Sequence, residues 1–428
     1  MRERRTRSKA KYVLCSILLI LFVFAGVTFV KYAIHRKGDA NYGEGEWSAE
    51  DSFRLEDYSA QNLYLSKDAA TLKILQIADP QLKVGGWTRD RQTMDLLARA
   101  LDAEQPDLAV CTGDLTLSIF TYDAYRYFAD FMEQRKQYWT VVFGNHDSQF
   151  DCSKETLCKM LSEYRYCLFQ PGPENLSGSG NFLINVYRGG ETIPTYSLIL
   201  MDSNMYPEDE NNGLMVWRYG HFSSAQVEWY RWAVKGLQSK NAAIQSSLFF
   251  HIPLQEHAKL YYANELAIGN AIPPEIDPAT LGVASNVSGV VREAPKTEEE
   301  LIDAGYRVGI FYQGKNTGLF AAAEELGSTK GMFFGHDHVN TFRGSYNGIF
   351  MGYGRCCGYH TYPYFSKPFF LTEWLGLSHK VLWNGQLWQD SDGTVLEKGF
   401  SVISVGLDAS DYGSITMTDH GDSFYRAA

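Results

Sequence analysis

The sequence predicts an α/β protein with a sheet core, preceded by one membrane-crossing helix at its N-terminus. Two observations predict the core. From Leu72 onward short apolar runs alternate with helically spaced ones, and five of the apolar runs end in Asp, Asn or His. A third observation, an uncharged apolar stretch over residues 13–30 behind a basic tail, predicts the membrane segment.

The N-terminal segment is read from its charges. Residues 1–12 carry Arg2, Arg4, Arg5, Arg7, Lys9 and Lys11 against Glu3 alone. The uncharged residues that follow would span roughly 27 Å as a helix, close to a bilayer's hydrocarbon thickness. The rival is a cleaved signal peptide, which would make the protein secreted. Signal peptides usually have an apolar region of ~7–15 residues ending at a small-x-small site. Here Val27, Thr28, Phe29 and Val30 follow Gly26 with no such site. The basic flank outweighs Lys31, Arg36 and Lys37 beyond the segment, so the N-terminus is expected inside and the rest outside the cytoplasm, at the cell membrane. The expected organisation is then a basic tail at 1–12, an anchor at 13–30, a polar acidic linker at 31–70 and a folded domain at 71–428.

Composition limits the partners. Apolar and charged fractions of 45% and 21%, with 14% aromatics, are those of a globular chain rather than a disordered one. Residues 1–37 hold nine basic residues and one acidic. The remainder has 30 basic against 49 acidic, a net charge near −19. Such a surface repels polyanions, so long nucleic acid is not an expected partner. Of seven cysteines, Cys15 falls in the anchor and Cys111 in an apolar run. Cys152, Cys158, Cys167 and the pair Cys356–Cys357 leave pairing open, and no C-x-x-C zinc pattern occurs.

Within the domain, 72–78 (LKILQIA), 107–112 (DLAVCT) and 139–143 (WTVVF) read as strands, as do 196–201, 247–250 and 331–334. Met94, Leu97, Ala98 and Leu101 have the spacing of one helix face, and an aromatic-rich helix is expected at 122–137. Ser223-x-x-Gln226 has the form of a capping box opening a helix through Val234. Strands alternating with helices imply an α/β sheet. From about residue 349 the chain is strand-rich, with turn signals at Asn384-Gly385 and Asp392-Gly393. This part could complete a second sheet or form a small appendage.

The polar residues at the strand ends carry the chemistry. The endings are IAD-P-Q (Asp79, Gln81), CTGD (Asp114), FGNHD (Asn145, His146, Asp147), FFH (His251) and FFGHDH (His336, His338). Ligands in open α/β sheets gather beyond the carboxyl ends of strands. One Asp there is commonly a turn former or cap. Five such endings in succession, with Gly directly before Asp114, Asn145 and His336, exceed what turn chemistry requires. Glycine at those places permits close backbone approach.

The ordered set D-x-Q, G-D, G-N-H-D, H, G-H-x-H resembles the calcineurin-like metallophosphoesterases over residues 74–340. FHIPL (250–254), NTGLF (316–320) before GHDHVN (335–340), and GRCCGYH from Gly354 look closest to their class III purple-acid-phosphatase-like branch. The resemblance implies a two-sheet α/β sandwich with flanking helices. It also implies two metal ions, divalent or mixed-valence, drawn from Mn, Fe, Zn or Co. Asp114 would bridge them, Asp79, His338 and Gln81 would complete one site, and Asn145, His251 and His336 the other. His146 would face the substrate. A hydroxide activated by both metals would attack a phosphomonoester or phosphodiester, and His146 would protonate the leaving group. Gln81 stands where the family usually has His, and Leu117 where some members have an Asp that orients the catalytic His, or a Tyr.

Residues 256–315 form a long polar excursion, expected to be a lid, a specificity wall or a plain surface insertion. His257, Asn316 and Tyr312 are candidates near the mouth of the site and His360 a candidate for its lining; each also fits a structural role. Two alternatives stand beside the phosphatase: a nucleotide phosphodiesterase or nuclease, and a catalytically silent surface-binding module on the same fold. Retention of His146 beside nearly all the ligands speaks against silence.

Overall fold

A computed structural model of the chain describes residues 2–35, 47, 53–55, 62–83, 88–205, 219–274, 276–289, 291, 310–361 and 397–428. Among them the strands are β1 (Leu63–Leu65), β2 (Thr71–Ile77), β3 (Leu108–Cys111), β4 (Trp139–Val141), β5 (Phe182–Arg188), β6 (Tyr196–Leu200) and β7 (Gln245–Phe249). They continue with β8 (Ala284–Ser288), β9 (Thr329–Phe334), β10 (Arg343–Tyr346), β11 (Ile349–Tyr353), β12 (Gly399–Gly406) and β13 (Ile415–Gly421). The helices of eight residues or more are α1 (Arg2–His35), α2 (Thr88–Glu104), α3 (Thr121–Arg135), α4 (Lys154–Leu161), α5 (Ser224–Lys240), α6 (Gln255–Ala267) and α7 (Leu319–Leu326).

The strands form two sheets. One runs β1-β5-β6-β7-β9-β11-β10-β8 and the other β13-β12-β2-β3-β4. Parallel pairing of β2 with β3 and β3 with β4, and of β6 with β7 and β7 with β9, points these strand ends the same way within each sheet. Strand alternation sets what each face buries. Ile184, Leu198, Leu200, Phe249 and Phe333 share one core with Leu72, Ile74 and Val110 of the other sheet. Their neighbours Leu183, Ile199, Leu248 and Met332 turn to the opposite face and pack with Trp229, Leu260 and Phe320 from α5, α6 and α7. The result is a two-sheet α/β sandwich with flanking helices, as the sequence leads one to expect.

Local chemistry explains the helix starts. Ser223 accepts from the Gln226 backbone, and the Gln226 side chain caps back, so α5 opens on a complete capping box. The helix runs six residues beyond Val234. At α4, Ser153 accepts from the Thr156 backbone N–H.

The strand-rich C-terminal part is divided between the sheets. β11 joins the larger one beside β9 and β10, and β12 lies antiparallel to β2 in the smaller. β1 falls inside the stretch read as linker, and α6 and β8 inside the 256–315 excursion. Linker residues 36–46, excursion residues 292–309 and the turn signals at 384–385 and 392–393 lie outside the described residues. In α1, Lys11–Lys31 is long and apolar enough to be a membrane span or a signal sequence.

Candidate metal centre

The site lies where the carboxyl ends of β2, β3 and β4 in one sheet meet those of β7 and β9 in the other. Three hydrogen bonds close this seam. Gln76 Nε2 donates to the Phe334 carbonyl at 3.0 Å, and His251 Nδ1 lies 2.8 Å from the Thr112 carbonyl. The His336 backbone N–H donates to Asp79 Oδ2 at 3.0 Å. All six residues are buried or nearly so, where such bonds are costly to leave unmade.

The glycines of the motifs permit this approach. A Cβ on Gly113 would stand 2.4 Å from His251 Nδ1, and one on Gly144 would stand 2.2 Å from Asp114 Oδ1. A Cβ on Gly335 would stand 2.7 Å from Asp79 Oδ2. Each glycine leaves room for a ligand carried by another strand. The ligand residues themselves take strained backbone. Asp79, Gln81, Asp114 and His336 have φ of 50°, 44°, 48° and 81°. Left-handed conformation at non-glycine residues costs about 1–3 kcal/mol each and collects at functional sites.

The side chains converge in two groups that share Asp114. Asp79, Asp114 and His338 each offer a ligand atom, all within 4.8 Å of one another. Gln81 Nε2 is 3.2 Å from His338 Nε2 and 3.5 Å from Asp114 Oδ2. On the other side, His251 Nε2 is 3.4 Å from Asp114 Oδ1, 3.1 Å from Asn145 Oδ1 and 3.3 Å from His336 Nδ1. The two Asp114 oxygens therefore face different groups. His146 donates its backbone N–H to Asp114 Oδ1 at 2.9 Å, while its ring Nε2 lies 3.9 Å from Oδ2. Its side chain is 26% exposed against 2% for Asp114, so this ring alone of the pair is open to a ligand from solvent.

The electrostatics fit a cation. Burial alone would raise the Asp114 carboxyl, but the charges of His251 and His146 outweigh it and hold it well below the usual range. Burial would lower His251, and Asp114 reverses this and raises it. Burial, reinforced by His251, depresses His336, and burial likewise depresses His338 despite Asp79. His336 and His338 are thus neutral imidazoles beside an ionised carboxylate, as metal ligation requires, whereas His251 carries beside Asp114 a proton that a bound cation would displace. The Asp79–Asp114–His338 cluster, with mixed O/N donors beside it, therefore fits a divalent metal ion.

Not every candidate reaches this centre. His257 sits fully buried between Phe334, Phe342 and Tyr353, with ring centroids 4.9, 5.5 and 4.8 Å away. Burial lowers it to about 3, the state of a neutral core histidine. Asn316 donates to Glu256 at 2.7 Å and accepts from the Gly318 N–H at 2.9 Å, a place at the start of α7. Tyr312 is half-buried, and burial pushes its hydroxyl to about 12. His360 Nε2 is 3.0 Å from Asp90 at the start of α2. Two neighbours escaped the sequence reading, and a third, Asp147, was named in its motif without a role. Tyr219 meets His336 edge-on at 4.3 Å, Gln149 Oε1 is 2.8 Å from His146 Nδ1, and Asp147 accepts from the Gly144 and Thr116 N–H groups at 2.7 and 3.0 Å. Of the two missed, only Gln149, close to the motif, could have been found from spacing.

The two-sheet sandwich with this seam defines a metallophosphoesterase-type fold. Residues 72–268 match the family model of the calcineurin-like phosphoesterases. "Probable inactive purple acid phosphatase 28" of Arabidopsis thaliana is 25% identical over 378 residues, covering 81% of this chain and 83% of the relative. "Probable inactive purple acid phosphatase 14" of the same plant is 25% identical over 342 residues, covering 72% and 75%. A dimetal phosphatase from Danio rerio overlays with a TM-score of 0.42 at 12% identity, covering 82% of this chain and 96% of that one. Residues 72–268 thus carry the likeness to the calcineurin-like phosphoesterases, the relatives named as purple acid phosphatases extend it along the chain, and together they support a hydrolase acting on phosphoester bonds.

Proposed function

We propose that this protein is an active, membrane-anchored phosphoesterase working outside the cytoplasm on phosphomonoesters or phosphodiesters. The observation that carries the reading is Asp114, whose two oxygens face two separate ligand groups with His146 exposed above them. Asp79, Gln81 and His338 would hold one ion, Asn145, His251 and His336 the other, and Asp114 both. Two such ions, when bound, supply Lewis acidity that activates water and neutralises phosphoryl oxygens.

The chain's own residues do the rest. Asp114 orients the His146 backbone through the N–H bond at 2.9 Å. Nε2 of His146 faces the centre and holds the proton destined for the leaving oxygen, a general-acid role typically worth ~10²–10⁴-fold. The seam hydrogen bonds of Gln76, His251 and His336 keep the two sheets' ligands in register. The word "inactive" in the relatives' names describes those proteins. Here His146 is retained beside nearly all the ligands, Gln81 excepted, which a silent binding module has no need to keep. The uncharged length of α1 and its basic N-terminal flank support the anchor and the inside placement of the N-terminus.

The test compares wild type with His146→Ala on paired aryl mono- and diesters at equal metal content. A selective loss of turnover in the variant is expected. Equal rates for the two proteins would remove His146 from the mechanism.

A further inference from the structure

Leu117 stands where some members of the resembled family have an Asp that orients the catalytic His, and leucine offers no acceptor. The His146 ring is nevertheless held. Its Nδ1 lies 2.8 Å from Oε1 of Gln149, and the Gln149 backbone N–H donates to the His146 carbonyl at 3.3 Å. That second bond closes a turn of four residues, which folds the amide side chain back onto the ring. We propose that Gln149 is a positioning residue for His146, fixing the Nδ1–H so that Nε2 faces the ester. This rests on the reading of His146 as leaving-group acid.

The geometry gives the amide a definite task. Nδ1 donates to Oε1, so the proton stays on Nδ1 whether or not Nε2 is protonated, and Nε2 alone exchanges a proton with the leaving oxygen. On the far side of the ring Nε2 is 3.9 Å from Asp114 Oδ2, so the bond to Gln149 aims it toward the shared carboxylate. An amide does this without adding negative charge beside Asp114, which a carboxylate would. Gln149 is exposed, so its substitution leaves the core intact.

Proton donation matters for a poor alkoxide leaving group and little for p-nitrophenolate, and that contrast is the test. Gln149→Ala is expected to lower kcat about tenfold or more on an alkyl phosphate and less than about threefold on p-nitrophenyl phosphate, a fraction of the full general-acid effect. Gln149→Glu, which keeps an acceptor, should restore much of the alkyl rate. His146→Ala on the same pair is the control. If it discriminates between leaving groups and Gln149→Ala does not, the positioning role is wrong and the acid role stands. If His146→Ala does not discriminate either, both fall. Independently of turnover, long-range ¹H–¹⁵N spectra of the zinc-loaded protein should show His146 protonated at Nδ1, with a tautomer mixture in Gln149→Ala. An unchanged spectrum would overturn the proposal.

Discussion

Gln81 Nε2 lies 3.2 Å from His338 Nε2, so an amide occupies the edge of the first ligand group where imidazole is usual in the family. Ligation of a cation by Gln81 requires a half-turn of the amide to present Oε1. A neutral amide oxygen is a weaker donor than imidazole for the transition metals. Gln81→His should therefore tighten metal retention on the Asp79–His338 side by about tenfold or more, the scale on which changes around a metal site act. Chelator competition with metal analysis checks it, and unaltered retention would show that Gln81 does not reach the ion.

The glycine contacts make a sharper structural prediction. Gly144→Ala places a methyl 2.2 Å from Asp114 Oδ1, against a fully buried neighbour that cannot retreat. The variant should fold with a stability loss of about 1–3 kcal/mol, the usual cost of overpacking. It should bind metal more weakly and turn over more slowly than that loss alone explains. Denaturation and metal content, measured together, separate the two effects.

His257 predicts a pH dependence of stability that is unrelated to catalysis. Its pKa falls from 6.5 to about 3 on folding because burial penalises the charged ring. Between these values the unfolded chain binds a proton that the folded chain refuses. Stability is thus complete above pH 6.5 and declines as pH falls through that window. At about pH 5 this one group should cost about 2 kcal/mol relative to neutral pH. His257→Phe should flatten that part of the curve in urea titrations, and an identical slope in the variant would contradict the assignment.

Membrane topology has its own test. Protease added to intact cells should digest the catalytic domain if α1 is an anchor with its N-terminus inside. Protection of the domain would refute the orientation.

Much of the fold was legible because its central strands are largely buried and read as short, mainly apolar runs. Residues 72–78, 139–143 and 331–334 each lie within two residues of β2, β4 and β9. The convergence of the candidate ligands was legible because metal chemistry restricts residue type at strand ends. Two kinds of feature were not. β1 is three residues in a polar stretch and exists only through its pairing with β5, a contact 123 residues away at Leu63 and Val186. The surroundings of the substrate candidates were not legible for another reason. A histidine, an asparagine and a tyrosine near a motif carry no periodicity, and tertiary packing alone sent His257 into an aromatic core and Asn316 to a helix start. Gln149 was visible beside His146, but nothing short of the turn geometry distinguishes an orienting amide from an exposed one.

The central claim is that Asp114 joins two ions into a working hydrolytic centre. The most direct measurement is metal content together with turnover of p-nitrophenyl phosphate and bis-p-nitrophenyl phosphate, for wild type and Asp114→Asn. The account predicts two ions per wild-type chain, hydrolysis of at least one ester, loss of turnover on chelation with recovery on metal return, and failure of the variant on each count. Wild-type protein holding two ions yet turning over neither ester would contradict it.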